Sequence, residues 1–346
     1  MRMLITTIAA GVALAAAALM TNAGLAEACA GLIGSNGAVN LGRTTTLAAY
    51  SDGVEHYITA FQFQGGGGEF GTLIPLPGVP SKVERGGDWT LQRLLRETQP
   101  PANAERAALS ADSAGAIVLQ EVRIDALDIT VLKGGAPDVA AWAKEHGFRL
   151  SPDAPEVLDF YATRSPIFLA AIFDGEAALA RGQQIGDGTP VHVTIPTSNP
   201  WVPLRILALG KQPSDRVEAD VFLLTDGKPS LLPARGEGLT LTHSERATKA
   251  LLNDLRADAG MSWVPQSAWL TRMEIDSAAA DLRFDLAVDT SGAASPSRVA
   301  AGLVPPGAAG SEGSPSAIVW AAAAAAVVVL VVAAGVGFRL ARIRNV

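Results

Sequence analysis

The run Ala317–Phe338, AIVWAAAAAAVVVLVVAAGVGF, carries no charged or strongly polar side chain, and Arg339, Arg342 and Arg344 follow it. As an α-helix it rises about 33 Å, enough for a hydrocarbon core about 30 Å thick. A single segment satisfies its backbone groups in lipid only as a helix, because one strand cannot close a barrel. The three arginines favour the cytoplasmic side for the residues that follow. These features predict a transmembrane helix over 317–338 and a cytoplasmic tail over 339–346. The preceding residues then lie outside a plasma membrane crossed once. The tail is too short to fold, so the span reads as a tether.

Residues 1–28 read as a secretory signal peptide. Arg2 supplies the positive start, Ile8–Met20 the apolar stretch, and Ala26-Glu27-Ala28 the small residues for cleavage before Cys29. Cys29 is the only cysteine, so no intramolecular disulfide can form and packing alone must hold the fold. Ala26 and Glu27 make a poor lipobox, which argues against lipidation of Cys29. Net charge is −7 for the 346 residues, but Cys29–Ser316 holds 23 basic and 33 acidic side chains, a net of −10. That balance argues against nucleic acid or an anionic membrane face as partner.

Between the two apolar termini, strand and helix signals alternate unevenly. Thr44–Tyr50 is rich in β-branched and aromatic residues, Ser51-Asp52-Gly53 signals a turn, and Val54–Phe63 resumes the strand. Alternation puts Glu55, Tyr57, Thr59, Phe61 and Phe63 on one face, with His56, Ile58, Ala60 and Gln62 on the other. The four glycines from Gly65 read as a loop, since no Gly-Lys-Ser/Thr follows to hold a phosphate. Glu69–Pro80 predicts a strand with a proline-punctuated end. Asp88 stands as N-cap for a helix with Leu91, Leu94 and Leu95 inward, stopped by Pro100-Pro101.

Further along, Ile117–Leu132 predicts a strand pair with its connection at Ala126-Leu127. Ala136–His146 and Pro155–Thr163 predict helices, and Ile167–Phe173, Val191–Ile195, Trp201–Leu209 and Val217–Leu224 predict strands. Thr242 and Glu245 have capping-box spacing before a helix reaching Asp258. Trp269–Ile275 and Asp281–Val288 close the domain, the latter with Leu282, Phe284, Leu286 and Val288 inward and Asp281, Arg283 and Asp285 outward. This grouping predicts an α+β fold, with mixed or antiparallel sheets and a few packed helices. The domain spans 29–290, as one body or two subdomains. A Ser/Gly/Pro/Ala linker over 291–316 reaches on the order of 30 Å as a flexible coil.

Diagnostic catalytic motifs are missing: there is no H-E-x-x-H, no G-x-S-x-G, no Walker loop and no EF-hand loop. His56, His146, His192 and His243 are far apart in sequence. His146 suits a helix C-terminus, where it interacts with the dipole. His243 reads as a solvated neighbour of the capping box, and His56 and His192 as hydrogen-bonded strand residues. One charged cluster stands out: Glu55 and His56 on the hairpin, with Lys82, Glu84, Arg85, Asp88 and Arg93 after the proline edge. If hairpin and helix pack together, a carboxylate, an imidazole and a guanidinium share a cleft. Otherwise Asp88 is a cap and the arginines cover a helix. No residue is assigned as catalytic, cofactor-binding or metal-ligating, and no cofactor is expected. Leu232-Pro233-Ala234-Arg235-Gly236 is no wall-sorting signal, because Arg235 replaces the threonine and it lies far upstream of the apolar run.

Several blocks resemble an uncharacterised family of exported bacterial proteins, domain of unknown function 2330. They are ACAGLIGSNGAV (Ala28–Val39), RTTTLAAYSDGVEHYITAF (Arg43–Phe61), FGTLIPLPGVPSKVERGGDWTLQRL (Phe70–Leu94) and, more loosely, DVAAWAKEHGF (Asp138–Phe148). The resemblance implies an exported protein, often with a C-terminal span. It implies no activity and carries over no site residue, but it directs attention to Arg43–Leu94. The expected function is a membrane-tethered extracytoplasmic binding or structural module of the bacterial cell envelope, its partner an envelope component or a membrane protein. The alternative is an envelope-acting hydrolase using acidic residues and His56.

Overall fold

The structure, a computed structural model, describes residues 26–27, 31–34, 37–38, 43–62, 69–99, 118–182, 188–236, 238–292 and 295–306. The strands are β1 (Ala26–Glu27), β2 (Gly31–Gly34), β3 (Gly37–Ala38), β4 (Arg43–Ser51), β5 (Val54–Gln62), β6 (Phe70–Pro75), β7 (Lys82–Arg85), β8 (Val118–Ile124) and β9 (Leu127–Lys133). They continue with β10 (Ile167–Phe173), β11 (Gly188–Pro196), β12 (Trp201–Val202), β13 (Arg216–Thr225), β14 (Ser230–Leu232), β15 (Leu239–Arg246), β16 (Trp269–Ala278) and β17 (Leu286–Asp289). The α-helices are α1 (Thr90–Thr98), α2 (Ala136–Glu145), α3 (Ala154–Ala162), α4 (Gly175–Ala180) and α5 (Lys249–Ala257). All belong to the unit that ends at Leu303; Val304–Val346 is a second unit.

The fold is α+β. The hairpin β4–β5 turns at Asp52 and Gly53, which have φ of 51° and 76°. Two consecutive positive φ values match the right-handed twist of the flanking strands, which is why Asp-Gly stands there. An eight-stranded sheet runs β15-β16-β13-β4-β5-β11-β7, with β1 paired to β4 off that path. It is mixed: β4 pairs antiparallel to β5 and parallel to β13. A six-stranded sheet runs β3-β2-β6-β10-β9-β8, and a small third sheet runs β12-β17-β14.

Side-chain alternation sorts the interior into layers. Tyr57, Val191, Val193, Val221, Leu223 and Met273 of the larger sheet share one core with Ile74, Ile129, Val131, Leu169 and Phe173 of the smaller. The outward residues of the smaller sheet, Leu73, Leu132, Phe168 and Ile172, pack with Val139 and Trp142 of α2 and Leu158 and Tyr161 of α3. On the far side of the larger sheet, Leu47, Ile58, Phe222 and Leu224 meet Leu91 and Leu94 of α1 and Leu251, Leu252 and Leu255 of α5. The order is therefore helix, sheet, sheet, helix. Each fully buried Leu or Val contributes about 1.5–3 kcal/mol to these cores.

Several local expectations are corrected. Trp201–Leu209 is a strand only over β12, because Pro203 cannot donate to a ladder and residues 205–208 wind into a 3₁₀ turn. Thr242 and Glu245 do not cap a helix: they lie in β15, which pairs with β16. The cap of α5 is Thr248, whose hydroxyl accepts from Leu251 N–H at 3.1 Å. Asp281–Val288 is a strand only from Leu286, and Asp285 is fully buried rather than outward. The strand β7 and the short helix α4 were hidden among prolines, glycines and alanines. Among the described residues no helix is long and apolar enough to cross a membrane, and Ala317–Phe338 lies outside them. So do Gly65–Gly68 and Pro100-Pro101. Within the stretch read as linker, Ala300 and Ala301 are buried.

Asp285 is inward because it is a hub. Its Oδ1 accepts from Tyr161 OH at 2.9 Å, Leu204 N–H at 2.8 Å and Arg205 N–H at 3.1 Å, and its Oδ2 from Arg164 Nη2 at 2.5 Å. Arg164 also donates to Ala300 O and lies over the rings of Phe160 and Trp201. The Tyr161 hydroxyl donates to Asp285, accepts from Ile206 N–H at 2.8 Å, and resists ionisation because it is buried and faces that carboxylate. Asp285→Ala leaves the buried guanidinium unpaired, and we expect a loss of about 3–5 kcal/mol in urea unfolding. Tyr161→Phe, which removes one hydroxyl, should cost about 1 kcal/mol in the same measurement.

Candidate functional site

The residues flagged on the hairpin divide between the two faces of the larger sheet. Glu55 and His56 are neighbours on β5, so they point in opposite directions. Glu55 turns toward the space between the sheets and is 1% exposed. His56 turns outward, toward the α1–α5 layer. The expected cleft of Glu55, His56 and Arg85 therefore does not form. Glu84 and Arg85 on β7 divide the same way. Arg85 pairs with Asp88 at 2.8 Å and with Asp125 in the β8–β9 turn.

What His56 meets instead is His192. On the outer face β11 brings His192 directly opposite Glu84 of β7, and Thr194 directly opposite both His56 of β5 and Lys82 of β7. His56 and His192 are thus diagonal neighbours across one strand pair, within reach of long or aromatic side chains. His56 Nδ1 lies 2.9 Å from His192 Nε2. The other nitrogen of His192, Nδ1, lies 3.4 Å from Glu84 Oε1, an ion-pair distance outside hydrogen-bond alignment. Lys82 Nζ holds the second oxygen of Glu84 at 2.6 Å, and Thr194 Oγ1 is 3.4 Å from His192 Nε2.

Trp263 covers this pair. Its indole stacks on His56 with centroids 3.9 Å apart and planes 2° from parallel, and on His192 at 5.1 Å. The turn after α5 delivers it. Gly260, with φ of 74°, sits so close to β7 that a β-carbon there would meet Arg85 O at 2.8 Å. Asp258, 5% exposed, anchors the same turn. It accepts from Asp88 N–H and Trp89 N–H at 3.0 Å each, and from the Thr90 hydroxyl at 2.8 Å. The expected cap of α1, Asp88, is thus replaced by a carboxylate from the end of α5. Arg93 strengthens the same junction through Asp254 of α5 at 2.9 Å, and pairs with Glu97 within its own helix at 2.7 Å.

Burial lowers the pKa of both imidazoles to about 4, since the low-dielectric wall penalises the cation; for His192 the neighbouring His56 adds to this. Glu84 opposes the shift in both cases without overcoming it. At neutral pH the pair is uncharged. With its proton on Nδ1, on the side of Glu84, His192 accepts at Nε2 from His56 Nδ1–H, which leaves His56 Nε2 as an acceptor. The remaining histidines are elsewhere. His146 closes α2, with Nδ1 2.9 Å from Trp142 O and its ring stacked on Trp142, while His243 sits on β15. Among the described residues no group of three or more His, Cys, Asp or Glu is arranged to hold a metal ion.

Sequence alone placed His56 and Glu84 in one cluster but left out His192, Trp263 and Asp258. Strand parity marks His192 as a possible neighbour only once the β5–β11 register is known. Nothing local marks Trp263.

On the inner face, neither Glu55 carboxyl oxygen makes a well-aligned hydrogen bond among the described residues, although the backbone N–H of Trp201 acts on the group. Burial pushes this acid up to about 8, partly offset by the backbone N–H of Trp201. A raised carboxyl favours the fold fully below its unfolded pKa, near 4.3, and that contribution is lost as pH rises through about 8. In that window we expect stability to fall by about 1.4 kcal/mol per pH unit from this group. Glu55→Gln should flatten the dependence and unfold at higher urea than wild type at pH 8. An unchanged slope would show the carboxyl to be solvated.

A model of the family described as an uncharacterised protein conserved in bacteria, domain of unknown function 2330, matches residues 24–228. No curated protein matches the chain in sequence. Among solved structures, baculovirus P35 is similar over 71% of this chain and 96% of its own, at 9% identity and a TM-score of 0.38. A mutated baculovirus P35 after caspase cleavage is similar over 71% and 99%, at 9% identity and a TM-score of 0.37. Scores of this size fall short of a shared fold.

Proposed function

The chain belongs to the uncharacterised bacterial family domain of unknown function 2330, and on that premise we propose that it is a membrane-tethered extracytoplasmic binding module of the cell envelope. The observation that carries this reading is the uncharged run Ala317–Phe338 with its three following arginines. The leader-like start of the chain and the acidic balance of Cys29–Ser316 support it. An acidic surface stays soluble beside an anionic membrane and leaves the domain free to meet a partner. That partner is an envelope component or another membrane protein.

A hydrolase acting on envelope material is the second reading, and its favouring observation is the His56–His192 hydrogen bond with Glu84 3.4 Å from His192 Nδ1. Glu55 has no part in it, because its carboxyl lies on the opposite face of the sheet. In this reading His56 Nε2 is the general base for a water molecule. His56→Gln would then abolish wall-degrading activity of the full chain, whereas a binding module has no such activity to lose.

The test is topology in a bacterial host. The full chain should stay in the membrane through alkaline carbonate washing, and external protease should digest the domain in spheroplasts. Removal of 317–346 should release it. Protection of the domain from protease, or complete extraction by carbonate, would overturn the tether.

A further inference from the structure

We propose that the His56–His192 pair is an acid-sensing site: as the surroundings acidify it takes up one proton, held across the bond between His56 Nδ1 and His192 Nε2, and no second while the domain stays folded. The two nitrogens belong to β5 and β11, lie 2.9 Å apart and meet in one hydrogen bond. Such a bond needs one donor and one acceptor. In a doubly protonated pair both facing nitrogens are donors, so the bond and the second proton exclude each other. A singly protonated pair keeps the bond and strengthens it, because one partner is then ionised. The two rings therefore titrate as one unit.

The proton has a way in and a counter-charge. His56 is half-exposed, whereas His192 is buried. In the neutral pair His56 Nε2 is an acceptor, so a proton from solvent adds there and makes His56 the imidazolium. Transfer of its Nδ1 proton to His192 Nε2 moves the charge to His192 and leaves the proton count unchanged. There Nδ1, which has no aligned hydrogen-bond partner, lies 3.4 Å from Glu84 Oε1, an ion pair once the ring is charged. Trp263 stacks on both rings, and an indole face attracts a cation. Lys82 of β7 opposes the charge, but it is drawn to the other oxygen of Glu84. From β11 the Thr194 hydroxyl faces His192. Arg93 and Glu97 of α1 and Asp254 and Asp258 of α5 are engaged at the helix junction. Arg256 of α5 holds the carbonyls of Val264 and Pro265, next to Trp263. Burial lowers both rings to about 4, which puts the uptake in the acid range. The site depends on neither functional reading, since it is observed on purified protein.

The experiment uses the full chain, purified in detergent without a polyhistidine tag and isotope-labelled at the histidine ring nitrogens, so that only four rings report. At neutral pH we expect NMR to show both rings neutral, with a scalar coupling between His56 Nδ1 and His192 Nε2 across their hydrogen bond. As pH falls, both rings should shift in one shared step that adds one proton to the pair, and the coupling should persist. Indole fluorescence should fall in the same step, because an imidazolium quenches a stacked indole, and that change should be absent in Trp263→Phe. Glu84→Gln should weaken proton uptake about tenfold, moving the step about one pH unit lower. Three results overturn the proposal: two separate steps that each charge one ring fully, no uptake before the domain unfolds by circular dichroism, or an unmoved step in folded Glu84→Gln. Should Glu84→Gln fail to fold, the proton count of the wild type decides.

Discussion

The two sheets meet face to face through one apolar layer, and the rest of the molecule depends on that contact. It is built from apolar residues at every second position of β11 and β13, with Tyr57 of β5, on one side and of β9 and β10 on the other. Because the side-chain period of a strand is two, burying one set commits the alternate set to the outer face. Helices α1 and α5 then cover the larger sheet, and α2 and α3 the smaller. With a single cysteine in the chain, no cross-link relieves this layer of its task.

The same parity separates the chemistry. One step along β5 moves from Glu55, sealed between the sheets, to His56, half-exposed beneath Trp263. A buried acid without a well-aligned hydrogen bond is a cost that the sheet contact has to offset, and burial keeps it protonated at neutral pH. The outer face is the opposite case. There Lys82, Glu84, His192 and His56 connect in one line of polar contacts. A connected polar row at the end of a sheet is able to bind or move a proton, whereas an isolated buried acid is mainly a stability term.

Most strands were legible before any coordinates, because their alternation is strong and their turns carry Asp-Gly or proline signals. The hairpin, β10, β13 and β16 all fall where the pattern puts them, and so do α2 and α3 with Val139, Trp142 and Tyr161 inward. The failures share one cause, which is that long-range partners overrode local grammar. Asp285 reads as a solvent-facing strand residue until Arg164 and Tyr161 arrive from α3. Asp88 reads as a cap until Asp258 arrives from 170 residues away. The site was half legible for the same reason. His56 and His192 are 136 positions apart, and only the β5–β11 register makes them neighbours.

Asp258 joins the two outer helices in a way that reaches the imidazole pair. Its carboxylate holds the backbone N–H groups of Asp88 and Trp89, which no turn of α1 can satisfy, and the next five residues carry Trp263 to His56. The cover of the imidazole pair and the cap of α1 are thus both set by one stretch of six residues, 258–263.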